Sequence, residues 1–132
     1  MPRSLRGMMK KLSPVLVVDQ IEPVLPLWDA LGFSRTAEVP HDNRLGFVIL
    51  QNGPVEVMYQ SVDSVRADLP RALDRPFGLA AVFIEVENLD AIAARVPGTT
   101  DVIEQRRKTF YGSTEMIVRD AAGHMITFAQ MA

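Results

Sequence analysis

YGSTEMIVRDAAGHMITFAQ, from Tyr111 to Gln130, is the most regular stretch of the chain, and its reading decides the fold. Thr114 to Arg119 and His124 to Gln130 are β-branched and apolar runs on either side of Asp120-Ala121-Ala122-Gly123. An aspartate that bonds its own backbone, followed by a glycine free to take positive φ, makes a tight turn, so the stretch predicts an antiparallel hairpin. Working upstream, Asp101 to Lys108 predicts a further strand, Leu89 to Val96 a short helix stopped by Pro97-Gly98, and Leu79 to Val86 a strand of small and apolar residues. The C-terminal half is therefore β-α-β-β-β.

The N-terminal half repeats that order. Leu12 to Val18 predicts a buried strand, and Val24, Leu27, Trp28 and Leu31 follow helical spacing up to Gly32, placed for a left-handed cap. Pro23 and Pro26 are tolerated only in a first turn, so the helix is expected to start near Pro23 rather than at Asp19. Phe33 to Val39, Leu45 to Gln51 and Val55 to Gln60 predict three strands, separated by His41-Asp42-Asn43 and by the hairpin signal Asn52-Gly53. Ser61 to Pro76, with alternating charges and two prolines, reads as a connector carrying a short helix. Val17-Val18-Asp19 and Val86-Glu87-Asn88 align as strand ends that each offer a helix-capping side chain, and internal duplication organises the chain.

The length of 132 residues fits one domain with a core of its own, at 48% hydrophobic and 23% charged residues. The expected division is a flexible segment over 1–11, a first module over 12–62, a connector over 63–77 and a second module over 78–132. A net charge of -2 provides no positive field for phosphates or anionic lipid, which argues against nucleic acid and membrane as partners. With zero cysteines, disulfides, thiolate nucleophiles and cysteine-bearing metal sites are excluded, and a cytoplasmic location is expected. Phosphate-cradling glycine loops and a G-x-S-x-G elbow are both missing from the sequence, so nucleotide-driven and serine-hydrolase chemistry are poor candidates.

Three segments resemble the vicinal oxygen chelate superfamily, which unites glyoxalases, bleomycin-resistance proteins and extradiol dioxygenases. They are VLVVD from Val15 with its helix ending WDALGF at Trp28 to Phe33, VEVMYQ at Val55 to Gln60, and the closing hairpin, in which Ala121 stands where the family usually has proline. The resemblance implies an α+β fold of two βαβββ modules whose curved mixed sheets surround a central cleft, commonly completed by a second subunit. Both enzymes and plain binding proteins share that architecture, so function has to be argued from the site.

In metal-using members, each module supplies a histidine-like ligand at the start of its first strand and a glutamate on its last. Counting back seven residues from Asp19 and from Asn88 reaches Leu12 and Ala81, and the glutamate positions match Glu56 and Thr127. Only Glu56 can ligate, and one carboxylate retains a divalent ion poorly. His41 is expected in a loop and His124 beside a turn, so no metal and no cofactor are expected.

With the ligand positions taken as inward-facing, strand alternation places Leu12, Pro14, Leu16, Glu56, Met58, Gln60, Ala81, Phe83, Glu85, Met125 and Thr127 in the cleft. Val15, Val17, Val57, Tyr59, Val82, Ile84, Ile126 and Phe128 are then expected against the helices. A carboxylate in an apolar hollow needs a partner, and Glu56 and Glu85 could meet a ligand amine, one of Arg106, Arg107 and Arg119, or act as a general base. Phe110 and Tyr111 could stack on a planar or cationic ligand, or anchor a strand edge. The ligand-binding candidates are therefore Glu56, Met58, Phe83, Glu85, Phe110, Tyr111 and Thr127. They suit a metal-free, homodimeric protein that holds a small molecule. The alternative is a metal-dependent enzyme of glyoxalase or dioxygenase type with an atypical ligand set.

Overall fold

The computed structural model describes residues 5–132, and Met1–Ser4 of the expected N-terminal segment lie outside the described residues. Among the described residues, eight strands and three α-helices follow one another as two βαβββ units. The first is β1 (Val15–Val18), α1 (Leu25–Ala30), β2 (Ser34–His41), β3 (Arg44–Asn52) and β4 (Val55–Ser61). After α2 (Val62–Asp68) come β5 (Ala81–Glu85), α3 (Leu89–Arg95), β6 (Asp101–Lys108), β7 (Ser113–Arg119) and β8 (Met125–Met131). Each unit makes its own mixed sheet, with orders β1-β4-β3-β2 and β5-β8-β7-β6. In both, the first strand runs parallel to the last and the remaining pairs are antiparallel. The architecture is α+β, and the repeat read from the sequence is a repeat of topology.

The punctuation of the sequence explains the element ends. Pro23 and Pro26 both fall in first turns, of a 3-10 segment over Glu22–Val24 and of α1, where a missing N–H costs nothing. Gly123 has φ +94° and closes the β7–β8 turn, while Asp42 and Asn43, both at positive φ, close the β2–β3 turn. The two expected caps part company. Asn88 accepts from the Ala91 N–H at 3.1 Å, whereas the helix after β1 starts without a side-chain cap and Asp19 stays exposed.

One core joins the units. Trp28 from α1 and Leu31 just after it, Val48, Leu50, Val57 and Tyr59 from sheet one, and Met116, Val118, Ile126 and Phe128 from sheet two belong to a single buried cluster. Trp28 packs edge-on to Phe33 at 4.8 Å and donates from Nε1 to the Tyr59 hydroxyl at 3.1 Å. Tyr59 in turn donates to Asp120 Oδ2 at 2.6 Å, and Asp120 Oδ1 accepts from the N–H groups of Ala122 and His124, both at 2.9 Å. Burial, and then the Asp120 carboxylate, push the Tyr59 phenol far above its ordinary range, so it remains a donor.

His124 is buried, not displayed at the turn. Its Nδ1 accepts from the Ala80 N–H at 2.8 Å, so Nε2 carries the proton that meets the Val17 carbonyl at 3.0 Å. This pins β1 to the start of β5 and leaves the ring no free lone pair.

Candidate functional site

One side of each sheet is committed to the shared core; the opposite side, here the open face, mixes exposed residues such as Phe83 and Met125 with buried ones such as Glu115, Thr127 and Ala129. On β4, Val57, Tyr59 and Ser61 point into the core while Glu56, Met58 and Gln60 lie half-buried on the open face, as alternation predicts. On β5, Ala81, Phe83 and Glu85 are exposed, and Val82 and Ile84 pack on the core. On β8, Ile126 and Phe128 are core residues and Met125 and Thr127 take the other face.

β1 departs from the expected register. Its parallel pairing sets Leu16 beside Tyr59 and Val15 beside Met58, so Leu16 and Val18 are buried, while Val15 and Val17 are on the open face. Leu16 is thus a core residue and not a cleft residue, and Val15 and Val17 are the reverse. A shift of one position moves every side chain of a strand to the other face. The same shift removes Leu12, which is 90% exposed and precedes the strand.

The residues that reach Glu56 are its neighbours Lys11 and Ser13. Lys11 Nζ lies 2.6 Å from Glu56 Oε2, and Ser13 Oγ donates to the same oxygen at 2.6 Å. The bonds from Lys11 and then Ser13 hold the Glu56 carboxyl below the usual carboxylate range. Neither Arg106, Arg107 nor Arg119 serves this carboxylate. They pair with Asp90, Glu115 and Asp101 respectively. The Glu85 side chain is exposed and makes no hydrogen bond or ion pair among the described residues.

Sheet two has a carboxylate that the sequence reading passed over. Glu115 of β7 is opposite Ala129, which itself pairs with Glu85, so Glu85, Ala129, Glu115 and Arg107 form one row across the open face. Although only 1% exposed, Glu115 is fully served: Tyr111 and Ser113 donate hydroxyls to Oε2, and Arg107 donates to Oε1 at 3.1 Å. Burial alone would raise this carboxyl, but the bonds from Tyr111, Ser113 and Arg107 outweigh it and hold the pKa below the ordinary value. The available signal was an acid inside the apolar run of β7, with hydroxyl donors two and four residues earlier.

The seven expected site residues therefore divide. Glu56 and Met58 stand on sheet one. Phe83, Glu85 and Thr127 stand on sheet two, where Thr127 is buried next to Phe83. Tyr111 is committed to Glu115, and Phe110, wholly exposed, packs only edge-on to Tyr111. None of them lines the recess of about 750 Å³ between α2, the connector and the β7–β8 turn, bounded by Val17, Asp19, Arg66, Phe77, Leu79 and Ala122 among others.

Around Glu56 the donor set does not fit a divalent metal. An ammonium has no lone pair to give, and a single carboxylate with a serine hydroxyl leaves a cation under-coordinated. Among the described residues no group of three or more His, Cys, Asp or Glu is gathered as a metal cage. Nor is any helix there long and apolar enough to cross a membrane.

No family model and no curated protein matches the sequence. Solved structures match the fold along nearly the whole chain. A lactoylglutathione lyase from Agrobacterium tumefaciens superposes with a TM-score of 0.71 at 16% identity, covering 92% of each chain. A glyoxalase/bleomycin resistance protein/dioxygenase from Nocardioides gives 0.66 at 13% identity, over 93% of this chain and 84% of the other. The bleomycin resistance determinant encoded on transposon Tn5 gives 0.67 at 13% identity, over 93% and 98%. The chain shares the fold of these glyoxalase and bleomycin-resistance structures.

Proposed function

We propose that this chain is a metal-free binding protein for a small molecule and works as a homodimer, the ligand lying in a cleft walled by the open sheet faces. The observation that carries this reading is the make-up of those faces. Val15, Phe83, Met125 and Met131 are exposed on them, beside Glu56, Glu85 and the buried Thr127. Apolar walls with a few placed polar groups are the usual chemistry of a small-molecule site. Uncovered apolar sheet faces also favour a second copy over water. The pairing of Glu56 with Lys11 in place of further ligands supports the metal-free part.

The test combines three measurements on the full chain. Sedimentation should give a dimer, metal analysis after exposure to nickel, zinc, manganese and iron(II) should give far less than one ion per subunit, and calorimetry with bleomycin should show saturable binding that weakens in Phe83→Ala and Glu85→Gln. Bleomycin is the first ligand to try because one structural neighbour is a bleomycin resistance determinant. A monomer that binds nothing would overturn the reading. One tightly held metal per subunit would replace it with the glyoxalase or dioxygenase alternative.

A further inference from the structure

The segment that brings Lys11 to Glu56 has little else to hold it. Between Lys10 and Pro14 the chain forms no strand or helix, the Leu12 side chain is almost wholly in solvent, and a backbone tie runs from the Met58 N–H to the Pro14 carbonyl at 3.0 Å. The pair is asymmetric as well. Glu56 retains 11% of its side-chain exposure and Lys11 retains 56%. A carboxylate that has lost most of its water needs a cation, whereas an ammonium that is half in water loses little by leaving.

We infer that Lys11 is a built-in, displaceable counter-ion at Glu56, and that an amine ligand binds this face by exchanging its own ammonium for that of Lys11. The inference rests on the reading of the open faces as ligand-binding surfaces and names the chemistry at one of them. The ligand class follows from the surroundings. Ser13 offers a hydroxyl to the same carboxylate oxygen, and Val15 and Met58 continue as apolar surface along the paired strands, so the site suits a primary ammonium on an apolar body. No net charge enters the site on exchange, because one ammonium replaces another.

The experiment titrates n-hexylammonium into the full chain and follows the Glu56 carboxyl carbon by NMR, with Glu56→Gln assigning the signal. Lys11→Met, which retains length and removes charge, should bind at least about tenfold more tightly than the wild type, a change of about 1.4 kcal/mol. Lys11→Arg should stay near the wild type. In the wild type, saturation should also loosen the Leu12 amide in relaxation measurements. Equal affinity of Lys11→Met and wild type would overturn the exchange, and binding that survives Glu56→Gln, or is absent from every variant, would overturn Glu56 as the anchor. Failure of bleomycin binding or of dimerisation is read in other measurements, so it is distinguishable from failure here.

Discussion

Glu56 and Glu115 are both acids on the open face of a four-stranded sheet, and they are neutralised in opposite ways. Glu115 takes its donors from its own hairpin: Ser113, Tyr111 and Arg107 lie two, four and eight positions away. Glu56 depends on Ser13, 43 positions away, and on Lys11 from a segment without regular structure. Local donors are held in place as soon as the hairpin forms. Distant donors have to be brought in and can leave while the sheet stays folded. One carboxylate is thus part of the framework, and the other is poised for trade.

Removing each acid in turn tests that contrast. Glu115→Ala should cost about 3 kcal/mol in urea denaturation, because three donors lose a charged acceptor. Glu56→Gln, by contrast, should leave the urea midpoint nearly unchanged, and an equal loss at the two positions would break the comparison. Tyr111→Phe removes one donor to Glu115 and should cost about 1 kcal/mol.

Acid tests the Glu115 cluster by a second route. The folded-state pKa of Glu115 lies below its ordinary 4.5, so its stabilisation is complete above that value and is lost as pH falls through the depressed one. The stability gap between wild type and Glu115→Gln should therefore be full at neutral pH and shrink as pH falls below the ordinary carboxyl value of 4.5, read from urea midpoints across the range. The smallest effect is expected from salt. High ionic strength should weaken the half-exposed Lys11–Glu56 pair and spare the Glu115 cluster, seen as a salt-dependent shift of the Glu56 carboxyl carbon alone.

Much of the fold was legible because turns and prolines are read locally. Asn52-Gly53 and Asp120 to Gly123 marked hairpins that the structure contains, and Pro23 and Pro26 placed the helix start. The face of β1 was not legible. Val15 to Val18 is apolar at every position, so alternation carries no phase there, and only the pairing of Leu16 with Tyr59 supplies it. The site suffered from the same slip. Counting to Leu12 passed between Lys11 and Ser13, the two residues that meet Glu56. Glu115 carries no signal of that kind, because the family's ligand positions lie on the first and last strands of each module and β7 is neither. The role of His124 depends on Val17, 107 positions away, a distance at which spacing says nothing.

The bonded chain from Trp28 through Tyr59 to Asp120 has an optical consequence. Trp28 is the only tryptophan, it is fully buried, and it sits on the core side of the sheets, away from the open faces. Its emission should be blue-shifted and protected from iodide, and it should change when the junction between the two units opens. A ligand settling on Glu56 or Phe83 should leave it dark to the event, so the protein's intrinsic fluorescence reports the integrity of the joint and not the occupancy of the cleft.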